Sequence, residues 1–393
     1  MSKVRDYNIF LAWLTATLVY LSLQPYFVWK YAGLMNWVVN LPLYVILMFN
    51  ANGKNTKYFV LFALICLLAG LVSGYSLFGI VFLFLLSTLF LTKTTFLWTV
   101  YHKFRLIYVV TIAISMIVML LAISGVSLPS TIIEPLNALK SHNYIAFPFF
   151  VIPTDMMISG TRFCGLYDEP GVVGTTAAIL LFIEKFNLKN KGNVIILISG
   201  ILSVSLFFYL YISVFLLYKF FTTKISFFKR LIFVLLAICA VTLIFRNEIT
   251  NELIVQRLEW NDDKQSISGN NRASGDLKDY VDSIKWTSAY FWGVRDSNIL
   301  KAYSDSSSLQ NAILKYGFVV LCMYFLFYLL YAKLHIGLNY RCVFFMLTIF
   351  LVMYNRPDVF NLSRNFLYII AIYTYSNENF SVFSKEQFMR KNE

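Results

Sequence analysis

The sequence predicts an all-α polytopic membrane protein with about 12 transmembrane segments, one large outer loop and one medium outer loop. Three observations lead there. Of 393 residues, 59% are apolar and only 13% charged, whereas soluble chains carry roughly one-quarter charged residues. Apolar runs of about 15–23 residues, a length suited to a bilayer core, recur along the chain. Basic residues gather in alternate connections between these runs. The same composition excludes a disordered chain or a secreted disulfide scaffold. Cys66, Cys239, Cys322 and Cys342 lie inside apolar runs, Cys164 stands in a loop, and no Cys/His spacing suggests zinc.

The N-terminal block, 1–124, holds runs at 8–24, 33–49, 58–73, 75–91 and 106–124. The first has no small-residue cleavage site and is followed by more spans, so it reads as an anchor rather than a signal peptide. All spans are expected to be helical, because lipid leaves backbone polar groups no outside partner. The first long outer loop, 125–170, carries several Pro and is expected to lie along the membrane surface. The central block, 171–246, contains runs at 171–184, 193–218 and 229–246. One helix over 193–218 would place Lys219, Lys224, Lys229 and Arg230 outside. Two short arms meeting near Ser203-Val204-Ser205 return them to the inside, as the positive-inside tendency favours.

The large outer loop, 247–311, is the most polar part of the chain and also holds Trp260, Trp286 and Trp292. Leu277, Tyr280, Val281 and Ile284 fall at the spacing of a short amphipathic helix. The C-terminal block, 312–393, has runs at 312–332, 342–354 and 364–376, then an inner tail. This topology places 19 basic and five acidic residues inside, against 14 and 15 outside. The net charge of +13 is thereby a sidedness signal and requires no nucleic acid.

Several chemistries are missing. The chain has no GxxxxGK[ST], no GxGxxG and no HExxH, so no nucleotide, metal or other cofactor is expected. The apolar runs hold almost no ionisable side chains, which disfavours an ion-coupled transporter. Of three His, only His142 falls on the outer side.

Two constellations remain. Gly160-Thr-Arg-Phe-Cys-Gly-Leu-Tyr-Asp-Glu-Pro-Gly-Val-Val-Gly174 opens the sixth span, with Pro170 at a first-turn position. Asp168 and Glu169 suit a general base acting on a hydroxyl, or simply a cap on that helix. Arg162 suits an anionic leaving group, or an interface anchor. In the large loop, Arg272 within Asn270-Asn-Arg-Ala-Ser274 suits a phosphate, or pairs with Asp276 along a helix. Trp286, Tyr290 and Trp292 suit stacking on sugar rings, or a small core within the loop.

Taken in this order, the two constellations resemble those of the Wzy-type O-antigen and capsule repeat-unit polymerases. The first outer-loop pattern matches Arg162, Phe163, Gly165, Leu166, Glu169, Pro170 and Gly171. The second matches Asn271, Arg272, Ser274, Phe291, Gly293, Tyr316 and Gly317, although Arg295 stands where the pattern usually has a second glycine. The resemblance implies a metal-independent glycosyltransferase, a multi-pass protein of the bacterial inner membrane. Its substrates are undecaprenyl-diphosphate-linked oligosaccharides, its surroundings membrane lipids, and its expected partners a chain-length regulator and a flippase of the same pathway. In this reading Glu169 and Asp168 are catalytic, Arg162 and Arg272 bind diphosphate, and Trp286, Trp292 and Tyr290 bind glycan. The alternatives are an O-antigen ligase and a lipid-linked oligosaccharide flippase or exporter. The related ligases use a His in their large loop, and 247–311 has none. A flippase needs no large outer domain.

Overall fold

An apolar environment leaves backbone polar groups to be satisfied within the chain, and the apolar runs among the described residues are largely helical. The structure is a computed structural model that describes residues 2–136, 142–154, 162–222, 260–261, 266–267, 275–303, 308–356 and 358–376. The first block contains α1 (Ser2–Leu21), α2 (Leu41–Phe49), α3 (Thr56–Val72), α4 (Leu77–Leu86) and α5 (Thr94–Ile123). Next come α6 (Pro170–Ile183), α7 (Lys191–Leu202) and α8 (Leu206–Thr222). The large loop supplies α9 (Gly275–Ser283), α10 (Ser288–Trp292) and α11 (Ser297–Ala302). The chain then runs through α12 (Leu309–Ile336), α13 (Tyr340–Asn355) and α14 (Leu362–Ser376).

Among the described residues, α5 and α12 are each long and apolar enough to cross a membrane. The stretch of α1 from Asn8 does so only together with Tyr26–Leu34, to which it is bent by 91°. The other apolar helices are shorter. The run 33–49 is not one regular helix: Asn36–Asn40 is π-helical and leads into α2. Pro42 lies in the first turn of α2, where its missing N–H breaks the regular ladder. The run 75–91 ends early, in a 3-10 turn over Ser87–Phe90. There the Ser87 and Thr88 hydroxyls donate to the carbonyls of Phe84 and Leu85. The run 229–246 and the Asn270–Ser274 motif with Arg272 lie outside the described residues.

The helices share one aromatic core. Phe62 of α3 sits among Phe90, Phe327 and Tyr328, with ring centroids 4.8–6.2 Å apart. Asn365 of α14 is buried yet fully bonded. Its Oδ1 accepts from the Tyr324 and Tyr328 hydroxyls at 3.0 and 2.6 Å, and its Nδ2 donates to the Val359 and Asn361 carbonyls. This joins α12 to the 358–361 turn.

The segment 193–218 is broken. α7 ends at Leu202, α8 begins at Leu206, and Val204 between them has φ +45°. The Phe208 ring lies so close over Gly200 that a Cβ there would meet it at 2.2 Å. The Tyr209 hydroxyl donates to the Ile201 carbonyl. Residues eight apart touch only if the chain bends sharply back. Both arms pack on α6.

The first long loop departs from an all-helical reading. Thr131–Ile133 (β1), Tyr144–Phe147 (β2) and Phe150–Pro153 (β3) form a three-stranded antiparallel sheet in the order β1-β2-β3. These residues are largely aromatic and β-branched, which favours strands. Ala146, Val151 and Tyr144 pack against Trp29 and Cys164, so the sheet rests on the Tyr26–Leu34 turn and the 162–169 segment.

Candidate functional site

The site forms where the 162–169 segment delivers the chain into α6. The Tyr26 N–H donates to the Leu166 carbonyl at 2.7 Å, and the Val151 N–H donates to the Gly165 carbonyl at 3.0 Å. Gly165 has φ +60°, and a Cβ there would press on Ile112 of α5 at 3.2 Å. Tyr167 is wholly buried, and burial pushes its phenol well above the usual value of 10.0. It is therefore a neutral anchor and not a proton carrier. The Tyr144 hydroxyl donates to the Asp168 carbonyl at 2.5 Å, with His142 Nε2 3.3 Å from the same hydroxyl.

Pro170 opens α6 as its sequence position suggests, and Glu169 occupies the N-cap. Its carboxylate makes no capping hydrogen bond. Instead Glu169 Oε2 accepts from Arg356 Nη2, in an ion pair whose Arg side chain is 11% exposed and whose Glu side chain is 36% exposed. Arg356 follows α13 directly, and its own carbonyl accepts from Arg364 Nη1 at 2.6 Å. Arg356 Nε is buried and has no hydrogen-bond partner among the described residues. A buried guanidinium N–H without an acceptor is costly, and an acceptor group from a ligand would satisfy it.

Arg356 also lines a cavity of about 160 Å³, whose wall includes Asp168, Thr175, Asp358, Asn361 and Arg364 but not Glu169. Two guanidinium groups and two carboxylates thus meet at one end of an apolar bundle. The arrangement can hold a group that accepts hydrogen bonds and can take a proton from a hydroxyl.

Arg162 is placed otherwise. Its Nε and Nη2 donate to the Ser203 and Val204 carbonyls at 3.3 and 2.9 Å, and the Phe163 N–H donates to the Leu202 carbonyl at 3.0 Å. Residues 162 and 163 therefore satisfy three carbonyls in a row at the end of α7 and the bend after it. Gly174 of α6 packs on the same bend, where a Cβ would meet Ser205 at 2.5 Å.

The sugar-stacking candidates gather in the large loop. Leu277, Val281, Val294 and Leu314 form a small core, with Tyr290 packed against it. Trp286 and Trp292 remain exposed, at 74% and 48%. The loop docks by backbone contact: Gly317 (φ +77°) lies so close to Phe291 that a Cβ would meet its carbonyl oxygen at 2.4 Å. The Val294 N–H also donates to the Leu314 carbonyl at 2.7 Å.

The structure therefore puts Asp168 on the cavity wall and Glu169 on Arg356, and brings Trp286 and Tyr290 together, with ring centroids 6.3 Å apart. Arg162 is not part of the cavity wall. Sequence reasoning missed Arg356 and Arg364. Their signal was present as Arg356 in the short connection between the runs 342–354 and 364–376 and Arg364 at the start of the second run, where a simple turn needs no charge. Among the described residues no cluster of His, Cys, Asp and Glu is arranged to hold a metal ion. No known family, curated protein or solved structure matches this chain.

Proposed function

We propose that the chain polymerises undecaprenyl-diphosphate-linked oligosaccharide repeat units into O-antigen or capsule-type polysaccharide at the outer face of the bacterial inner membrane. The observation that carries this reading is the Glu169–Arg356 ion pair at the α6 N-terminus, whose Arg356 lines one cavity together with Asp168 and Arg364. Glu169 is not used as a helix cap, so its carboxylate has another task. In this reading about 12 segments cross the membrane and the cavity faces outward.

The chemistry is a displacement. An acceptor sugar hydroxyl attacks the anomeric carbon of the donor glycan, and the bond from that carbon to the diphosphate oxygen breaks. The bonding electrons leave with the diphosphate, and the hydroxyl proton goes to Glu169 or Asp168. Arg356 holds the Glu169 carboxylate in place through their ion pair. Arg356 and Arg364 are the guanidinium groups on the cavity wall for the diphosphate, whose charge grows as the bond breaks, whereas Arg162 is spent on the Ser203 and Val204 carbonyls. Diphosphate leaves readily once its charge is offset, so no metal is required.

Deleting the gene and separating surface polysaccharide on a gel tests this. Lipid A core bearing a single repeat unit is expected, with the ladder restored by the wild-type gene and not by Glu169→Gln. An unchanged ladder in the deletion strain overturns the proposal.

A further inference from the structure

A second cavity, of about 280 Å³, adjoins the first and shares Ser22, Gln24, Asp358 and Asn361 with its wall. It lies between the π-helical turn Asn36–Asn40 and α4, and its wall includes Gln24, Asn36, Asn40, Tyr75, Phe82 and Asp358. Three features need a cause. Amides are placed within an otherwise apolar run, where polar side chains are expensive unless they line a path or site. The helix carrying two of them is widened into a π turn, a distortion common at functional sites. Asn40 Nδ2 donates to Asn36 Oδ1 at 2.8 Å, which fixes this amide pair on the cavity wall.

The chemistry of the wall selects a ligand class. Among the described residues on its wall, the Asp358 carboxylate is the one side chain of fixed charge; the nearby Lys315 Nζ lies 5.2 Å from the Tyr75 ring centroid and is not on the wall itself. Phosphate is therefore disfavoured here, in contrast to the neighbouring cavity with Arg356 and Arg364. Amides both donate and accept, a carboxylate accepts from hydroxyls, and the Tyr75 and Phe82 rings offer flat apolar faces. Together they match a ring with hydroxyls at its edge and C–H groups on its face.

We infer that this second cavity is a subsite for a neutral sugar ring, held so that one of its hydroxyls reaches the neighbouring cavity lined by Asp168 and Arg356. The inference rests on the glycosyl-transfer reading for the role of that hydroxyl. It rests on the cavity wall alone for the binding. Within that reading the ring belongs to the acceptor, since the acceptor must present a hydroxyl to the carboxylates. The exposed Trp286 and Trp292 are then left to contacts further along the glycan.

Saturation-transfer NMR on the full chain in detergent micelles tests the subsite, with methyl glycosides of neutral hexoses and of N-acetylhexosamines as probes. At least one probe is expected to receive saturation from the wild-type protein, with inorganic phosphate failing to compete. Asp358→Asn, which keeps size and shape, is expected to weaken that probe about tenfold or more, as loss of a hydrogen bond to a charged group does. Asn40→Leu is expected to remove the signal, while Arg356→Gln, in the other cavity, keeps it. Circular dichroism and elution volume identify any variant that fails to fold, and Asp358→Asn is the decisive one should Asn40→Leu do so. The inference is overturned by a wild type that contacts none of the probes, or by full signal in Asp358→Asn. An unchanged polysaccharide ladder in the deletion strain would end the polymerase reading alone, leaving the sugar contact to stand or fall by the NMR result.

Discussion

At the scale of single residues, Glu169 carries two separable demands. A cap needs a hydrogen-bond acceptor, and a base needs an ionised carboxylate. The side chain makes no cap contact and meets Arg356 instead, so Glu169→Gln is expected to keep folding and membrane level while abolishing polymer. Glu169→Asp is expected to retain a fraction of the ladder. A full-length ladder from Glu169→Gln removes the catalytic role and moves attention to Asp168. Arg356→Gln should fail to polymerise, since it removes both the ion-pair partner of Glu169 and a guanidinium group from the cavity wall. Gel ladders from cells expressing the variant at wild-type level would check this. Gly317 makes a different prediction. With φ +77° and the Phe291 carbonyl oxygen 2.4 Å from any Cβ, Gly317→Ala should cost well over about 1 kcal/mol. Thermal unfolding of the purified protein reads it, with Gly33→Ala, which has open space around it, as the neutral control.

The element scale belongs to the bent pair α7–α8. Twelve residues of α7 rise about 18 Å, short of the roughly 30 Å hydrocarbon core. An arm of that length cannot cross alone, and its last carbonyls would be stranded in lipid without Arg162 and the Phe163 N–H. Arg162→Ala is therefore expected to lower the stability of the purified protein by about 1–3 kcal/mol, the cost of leaving buried acceptors unpaired. Arg162→Lys should recover only part, because an ammonium does not reproduce the two-pronged contact. Wild-type thermal stability in Arg162→Ala would separate this residue from the bend. If the pair is re-entrant, reporter fusions after Lys189 and after Tyr218 report the same side. Opposite sides would make it a single crossing.

For the whole molecule, antiparallel helices sort the polar contacts to two ends. One end has the Glu169–Arg356 cavity, the sheet of 131–153 and the docked loop helices. The other has Arg105 paired with Glu184 at 3.3 Å, the Arg105–Asn193 hydrogen bond at 2.6 Å and the Ala51–Thr92 bridge. The basic connections Lys93, Lys185, Lys189 and Lys191 join this second group. In a bacterial host, fusions at Lys93, Lys189 and Gly337 are expected to report cytoplasm, and fusions at Gly125 and Trp286 the outer side. A cytoplasmic signal from Trp286 would invert the molecule and exclude an outward-facing site.

Composition and periodicity were enough to determined helices from apolar runs, because lipid and helix impose the same backbone requirement. They also pointed to the start of α6 at Pro170 and the loop helix around Leu277 and Val281, which follow from local chemistry, whereas the break near Ser203-Val204-Ser205 was preferred over one continuous helix only through the positive-inside tendency. The β1–β3 sheet was not legible, since Pro-interrupted aromatic stretches read equally as irregular loop. What Glu169 pairs with was decided only in three dimensions. Arg356 is 187 residues away along the chain, and no spacing rule reaches that far. The same holds for Arg162, whose partners are backbone carbonyls that carry no side-chain signature. The second cavity was hidden for a related reason: Asn36 and Asn40 lie within the run 33–49, and only the π turn and α4 bring them to one wall with Asp358. Local patterns fix which segments are helices, whereas long-range packing chooses which polar groups meet inside them, because each buried charge or amide must find its partner among whatever the folded helices bring near.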